Sequence, residues 1–307
     1  MKQPKIPFME QTRFTNVLIS VYTLVLIVVL FGRGLNYGID FTGGHIMRLG
    51  FIEQEVTDKA LRSCLLDKKI GLPANTDLVV QDVENIDKLK GYRSEKLIQL
   101  PEITSKQREK IFLVLAEKFG KVSKPDLESK VGPSIGEDMK KIAFLSIVFS
   151  IFLILIYMYY RFEGASAWGA VIALVHDALF TLGLLSFLGV KISLVVVAAI
   201  LTVLGYSLND SIVILDRIRE NRKIYRKLTF FELVNLSLNQ TLWRTILTTT
   251  TTTIPLLCLF TWGGSALRPF STTLLIGVIA GTFSSIYVVS AWIVKQEGID
   301  ERPLARA

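Results

Sequence analysis

The sequence predicts a polytopic α-helical membrane protein with six transmembrane helices and a small water-soluble α+β domain inserted after the first. Three observations lead there. Half of the 307 residues are hydrophobic. They gather into six long blocks rather than spreading evenly. Between the first two blocks, residues 33–141 hold 19 of the 35 basic residues and 17 of the 27 acids, the composition of a solvated domain.

Taken in order, the first block (14–32) has no charged residue over 19 positions, the second (142–160) none over 19, and the sixth (269–294) none over 26. Leaving His aside, the third (164–190) carries only Asp177, the fourth (192–215) only Asp210 and the fifth (233–267) only Arg244. Each block supplies the roughly 20 residues a helix needs to cross about 30 Å of hydrocarbon. The first reads as a retained anchor rather than a cleaved signal, because its uncharged core is long and "FGRGLNYGID" offers no A-x-A-like site. The predicted divisions are thus 1–32 (cytoplasmic N-terminus and helix 1), 33–141 (outer domain), 142–294 (helices 2–6, with a basic loop at 216–232) and 295–307 (tail).

Sidedness follows from Lys and Arg in the short loops. Lys2, Lys5 and Arg13 precede the first helix, and Arg161 lies between the second and third. Arg217, Arg219, Arg222, Lys223, Arg226 and Lys227 follow the fourth, and Lys295, Arg302 and Arg306 the sixth. The alternate loops hold only Lys191 and Arg268. Both termini and the 216–232 loop are therefore expected on the cytoplasmic side of the membrane. The formal charge of +8 fits a face beside anionic lipid, and no aromatic-basic motif points to nucleic acid.

Within 33–141 the pattern alternates. "GHIMRLGF" (44–51) reads as a strand, "VTDKALRSCLLDKKIG" (56–71) as a helix closed by Gly71, and "DLVVQDVENI" (77–86) as a strand. "EKLIQLP" (95–101) is a third strand, and "TSKQREKIFLVLAEKFG" (104–120) a helix opened by Thr104 and closed by Gly120. "PDLESKVG" (125–132) is a last, weaker strand. The order βαββαβ is that of a ferredoxin-like domain, here extracytoplasmic.

The polar residues inside the blocks are the candidate site. Asp210, flanked by Asn209 and Ser211, and Arg244 are expected at similar depth, close enough for an ion pair that a proton would release. His176 and Asp177 lie mid-helix, where ionisable groups are costly; they either carry protons or orient neighbouring helices by packing. Threonines fill 248–253, and most are expected to bond back to their own helix. Thr248 or Thr251 is a candidate to hold water near Asp210, and Pro255 is expected to kink the helix. Cys64 and Cys258 fall in different segments, no metal-ligand spacing occurs, and no HExxH, GxSxG or phosphate-loop motif is present, so no enzyme is expected.

Four stretches, "GLNYGIDFTGGHIMRL" (34–49), "ALVHDALFTLG" (173–183), "GYSLNDSIVILDRIRENR" (205–222) and "NQTLWRTILTTTTTTIPLL" (239–257), stand in the order found in the SecF branch of the SecD/SecF family, within the resistance-nodulation-division superfamily. The chain resembles that family over nearly its whole length. The resemblance implies an accessory subunit of the Sec protein-export machinery that uses the proton motive force in late steps of translocation. No internal repeat is visible, so the second six-helix half is implied to be SecD. Further implied partners are the channel subunits SecY, SecE and SecG, with YajC, and the translocating polypeptide; protons are the only coupling species and no cofactor is expected. It further implies that Asp210 and Arg244 serve proton conduction and that Asp40, Phe41, Thr42, Gly43 and Gly44 are a hallmark whose separate roles it leaves open. Half of a proton-driven exporter of small molecules or lipids, and a purely structural clamp, are the rival readings. The first would call for a larger outer domain with a pocket, the second for no intramembrane charge.

Overall fold

The computed structural model describes residues 6–67, 70, 72, 78–82, 91–101, 103–123, 128–162 and 164–297. Lys2, Lys5, Gly71, Arg302, Arg306 and parts of the strands expected at 77–86 and 125–132 lie outside the described residues. In chain order the elements are α1 (Phe8–Arg33), β1 (Asn36–Tyr37), α2 (Ile39–Thr42), β2 (Gly44–Phe51), α3 (Asp58–Leu65), β3 (Val79–Asp82), β4 (Ser94–Leu100) and α4 (Ser105–Phe119). There follow β5 (Glu128–Val131), α5 (Pro133–Arg161), α6 (Gly164–Leu188), β6 (Lys191–Ile192), α7 (Leu194–Ile224), α8 (Phe230–Trp262), α9 (Gly264–Ser284), a π-helical turn (Ser285–Val289) and α10 (Ser290–Gln296). They divide into two compact units, Met1–Asn36 with Phe144–Ala307, and Tyr37–Ala143.

The Tyr37–Ala143 unit is built on a four-stranded antiparallel sheet of order β3-β4-β2-β5. Alternation along the strands sends Met47, Leu49 and Phe51 of β2 and Ile98 and Leu100 of β4 into one core with Leu61 and Leu65 of α3 and Ile111 and Leu115 of α4. Thr104 and Gln107 form a reciprocal capping box at the start of α4, and Gly120, at φ 77°, ends it. Helix α3 stops at Leu65, six residues short of the Gly71 expected from the sequence. Beyond it Leu66 turns out of the apolar face. Burial pushes the Cys64 thiol up, with Lys118 opposing and Asp67 and Glu117 adding to the shift.

The other unit is helical. Five helices among the described residues are long and apolar enough to cross a membrane: Phe8–Arg33, Ser134–Arg161, Gly164–Leu188, Leu194–Ile224 and Leu267–Gln296. The chain is a membrane protein. The fifth hydrophobic block, expected as a further span, forms the 33-residue α8, but its run of threonines dilutes its apolar content below that of the other five. Helix α8 continues through Pro255.

The helices also extend past the blocks that predicted them. Helix α7 does not end at Leu215 but runs to Ile224, which shrinks the expected 216–232 loop to residues 225–229. Its tail stays helical because Ile218 and Asn221 remain buried while Arg217 and Glu220 pair across one turn at 2.8 Å. Helix α5 likewise starts at Pro133, nine residues before the uncharged block.

Small residues let the helices approach. A Cβ on Gly277 of α9 would fall 2.2 Å from Val203 Cγ2 of α7, and one on Gly281 would fall 2.8 Å from Ser207 Cβ. The Gly277/Gly281 pair, four apart, therefore lays α9 directly on α7. The start of α1 is fastened to α8 by side-chain amides: Asn239 accepts from Ile6 N at 2.8 Å and donates to Ile6 O at 2.9 Å, and Asn235 accepts from Met9 N at 3.2 Å. The Asn235 bond satisfies the Met9 N–H, one of the donors that a helix start leaves open.

Candidate functional site

Asp177 is central in α6, fully buried, and held from three sides. Its Oδ1 lies 3.0 Å from His176 Nδ1, and its Oδ2 accepts hydrogen bonds from Ser207 of α7 at 2.5 Å and Ser284 of α9 at 2.8 Å. One carboxylate thus ties three helices. A carboxylate offers acceptor sites only, and here they meet hydroxyl donors supplied by two neighbours, the pairing that makes such burial tolerable. The His176 ring stacks on Phe180, with ring centres 6.1 Å apart, and meets Tyr22 of α1 edge-on at 6.2 Å.

The seam continues one turn along α7. Ser211 and Ser285 exchange a hydroxyl contact at 2.9 Å, and Ser285 also donates to the Ser207 carbonyl at 3.3 Å. Ser285 opens the π-helical turn, where the backbone loses its regular α-helical bonding, a distortion common where helices carry function.

Asp210 stands 16 positions after Leu194 and 14 before Ile224, about 21 Å from the helix end at 1.5 Å per residue. It is central in its helix rather than close to its end, because the charged tail that follows remains helical. Asp210 is 2% exposed, and its Oδ2 has no hydrogen-bond partner among the described residues. Thr282 of α9 is within hydrogen-bonding reach of the carboxyl, and Arg244 of α8 is within electrostatic reach. Arg244 itself is exposed, and among the described residues no ion pair joins it to Asp210. The pair expected from the sequence is therefore two charges in reach of each other but out of contact, since Arg244 points from the outer side of α8 while Asp210 faces α9.

The threonines divide as their faces dictate. Thr248 bonds back to Arg244 O at 3.0 Å, Thr251 to Leu247 O at 2.9 Å and Thr252 to Thr248 O at 2.9 Å. Thr249, rather than Thr248 or Thr251, reaches across to Thr282 at 3.0 Å. Asn209 lies on the exposed face of α7, turned away from the Asp210 side.

This arrangement can switch on one proton. Thr282 owns a single hydroxyl hydrogen and directs it to Val278 O at 2.9 Å. A protonated Asp210 can donate to the Thr282 oxygen and leave that bond in place. An ionised Asp210 needs the hydrogen for itself, so Thr282 must turn and release Val278. Asp177, with both oxygens already engaged, has no such vacancy.

Sequence reasoning reached Asp177 and Asp210 but missed Ser207, Ser284, Ser285, Thr249 and Thr282, which surround them. The available signals were Ser207 and Ser211 four apart on the Asp210 helix, and the Gly277/Gly281 pair ahead of "SS" at 284–285 in an otherwise uncharged run.

In the Tyr37–Ala143 unit the D-F-T-G-G stretch forms a junction. Ile39–Thr42 makes one helical turn, with Phe41 buried and Thr42 bonded back to Gly38 O at 3.1 Å. Gly43 leaves it at φ 78°, and Gly44 enters β2 at φ 157°, where a Cβ would fall 2.4 Å from Leu100 O. Gly136 of α5 packs as closely, since its Cβ would fall 2.6 Å from Phe41 O. Asp40 sits in the first turn of that short helix. The glycines are thus required by backbone conformation and approach. Among the described residues no group of three or more His, Cys, Asp or Glu side chains is placed to hold a metal.

Comparison with known proteins gives a consistent picture. The family model described as "Protein export membrane protein SecD/SecF, C-terminal" matches residues 114–297, and the SecD/SecF GG motif matches residues 28–51. The protein translocase subunit SecF of Desulfurispirillum indicum is 37% identical over 298 residues, covering 94% of this chain and 91% of that protein. SecF of Escherichia coli O157:H7 is 37% identical over 283 residues, covering 90% and 84%. Against the protein translocase subunit SecDF of Thermus thermophilus the chain is 38% identical over 293 residues but spans only 38% of that longer protein. A crystal structure of SecDF, described as a translocon-associated membrane protein, matches with a TM-score of 0.78 at 37% identity, covering 96% of this chain and 39% of that one. Its super-membrane-facing form gives 0.75.

Proposed function

This chain belongs to the SecD/SecF family of protein-export membrane proteins, and from that premise we propose that it works as the SecF-type half of a proton-driven machine, completed by SecD, that helps draw polypeptide out of the Sec channel. The relatives that align over most of their length are named protein translocase subunits. Those named SecDF carry more than twice as much chain, which leaves room for a second half in another polypeptide here.

The proposal includes six crossings, with both termini cytoplasmic in the inner membrane and the Tyr37–Ala143 unit as a ferredoxin-like extracytoplasmic domain. The sixth crossing is α8. Back-bonding of Thr248, Thr251 and Thr252 to its own carbonyls removes most of the penalty their hydroxyls would meet in lipid. The sheet order β3-β4-β2-β5, with α3 and α4 on one face, supports the domain assignment.

One observation carries the mechanism: Asp210 is buried beside a hydroxyl pair, with one oxygen that has no hydrogen-bond partner among the described residues, while both oxygens of Asp177 are engaged. Asp210 takes up and loses the proton. Thr282 and Thr249 turn with it, and Arg244 answers the charge that appears when the proton leaves. Asp177 holds α6, α7 and α9 in register throughout. Proton entry supplies about 2.3 kcal/mol per charge per 100 mV, so long segments need repeated small movements. No cofactor beyond the proton enters this scheme, and SecY, SecE, SecG and YajC are its expected further contacts. Reconstituting the chain with SecD and the channel tests the assignment: a proton gradient should accelerate late translocation only when both halves are present. Equal acceleration without this chain would refute it.

A further inference from the structure

Tyr206 of α7 stands one turn from Asp210 on the Leu194 side, about 6 Å along the helix axis, so the two side chains share a face. Long side chains on a helix lean toward its N-terminus, which carries the Tyr206 ring away from the carboxyl group. The ring packs against an apolar cluster drawn from α7 (Ala199, Val203), α8 (Leu256) and α9 (Leu274, Val278). Ala199 and Val203 fall between Asp210 and the Leu194 end, so an apolar stretch separates the carboxyl group from that end of the helix. Within this stretch the Tyr206 hydroxyl is buried and has no hydrogen-bond partner among the described residues. The hydroxyls of Thr282 and Thr273 on α9 donate to their own helix, at Val278 O and Pro269 O. A phenol cannot do the same, because the ring holds its oxygen far from its own backbone. Leaving a buried hydroxyl unanswered costs about 1–3 kcal/mol, and phenylalanine would fill the same space without that cost.

We propose that the Tyr206 hydroxyl is the station through which a proton crosses this apolar cluster to reach Asp210. The inference rests on the reading that Asp210 takes up the proton. A phenol accepts one hydrogen bond while donating another. On the Leu194 side its oxygen takes a proton from a hydronium ion. Its own O–H proton passes to a water on the Asp210 side, and that water gives a proton to Asp210 Oδ2. At the phenol and at the water one O–H bond forms as another breaks, so both end neutral, and the carboxylate becomes a carboxylic acid. Water is the only co-reactant. Asp210 Oδ2 and the Thr249–Thr282 hydroxyl pair beside it supply the polar contacts that a water needs there. The apolar side chains around the ring oppose a continuous column of water, so each passage waits on the Tyr206 hydroxyl.

Tyr206→Phe tests the proposal in inverted membrane vesicles with SecD and the channel, with Asp210→Asn measured beside it. Only the hydroxyl is removed, so the thermal midpoint of purified Tyr206→Phe and its yield with SecD should equal or exceed the parent's. Export in a proton gradient should nonetheless fall toward the rate the parent shows once the gradient is collapsed, the gradient-dependent part dropping roughly tenfold or more. A lower midpoint or a loss of SecD would overturn the proposal, because the hydroxyl would then be a structural or subunit contact. A full gradient response in Tyr206→Phe, while Asp210→Asn has lost its own, would also overturn it and leave the Asp210 reading standing. A full response in Asp210→Asn would overturn that reading, and this inference with it.

Discussion

The Ser207 hydroxyl of α7 donates to Oδ2 of Asp177 on α6 across 2.5 Å, and Ser284 of α9 donates to the same oxygen from the other side. A single acceptor thus fastens three helices. Asp177→Ala removes the one acceptor that both hydroxyls share and leaves a small void between the helices. It should cost about 2–3 kcal/mol and lower the thermal midpoint of the purified protein by several degrees. If Asp177→Ala melts like the parent yet loses gradient-driven export, then Asp177 carries protons and is not a structural hub.

Close approach of α7 and α9 makes a second prediction. Gly281→Ala and Gly277→Ala place a methyl group into Ser207 and Val203 respectively, and each should destabilise by about 1–3 kcal/mol. Gly277→Ala should be the worse, because its nearest contact is shorter. Gly205→Ala is the control: it sits on the same α7 with nothing within 4 Å of the added carbon, so its midpoint should stay at or above the parent's. Thermal scans of the three variants in one detergent decide the matter.

Cys64 gives a pH-dependent readout of the Tyr37–Ala143 unit. The thiolate is the reactive form, and burial lifts the Cys64 pKa above the ordinary thiol value. At any given pH below that raised value the native protein therefore holds less thiolate than the unfolded chain. In a Cys258→Ser background, labelling by a disulfide reagent at pH 8 should be slow when native and fast in denaturant, with the native rate climbing only at higher pH. Equal native and denatured rates would mean that α3 does not bury Cys64.

Much of this was legible in the sequence, and the limits have physical causes. Uncharged runs reveal α1, α5 and the stretch through α9 and α10, and runs broken by a single acid reveal α6 and α7, because burial in lipid demands nearly unbroken apolarity. The 233–267 run predicts a span like the others, yet the threonines of α8 lower its hydropathy below that of the five, though the hydroxyls of Thr248, Thr251 and Thr252 are satisfied within the helix. Asp177 and Asp210 stand out as lone acids, but their partners do not. Ser207, Ser284 and Thr282 are ordinary in composition and become partners only when glycines bring α9 against α7. The Asp210–Arg244 ion pair was inferred from matched position along two helices, yet position says nothing of which face each side chain takes.

That separation makes a fourth prediction. Because Arg244 is exposed and out of contact with Asp210, Arg244→Gln should change stability by no more than about 0.5 kcal/mol. Gradient-stimulated export should nevertheless fall, since the cation that answers an ionised Asp210 is gone. Destabilisation above about 2 kcal/mol in a thermal or denaturant assay would indicate a resting ion pair, contrary to this structure.

If the proton enters at the Asp210 oxygen that has no hydrogen-bond partner among the described residues, Asp210→Asn must abolish the response to a gradient. Inverted membrane vesicles carrying the parent or the variant, with SecD and the channel, would be assayed for late translocation with and without a proton gradient. Asp210→Asn should assemble in parental yield and export at the rate the parent shows after an ionophore collapses the gradient, with no further response to the ionophore. Gradient stimulation equal to the parent's in Asp210→Asn would contradict it.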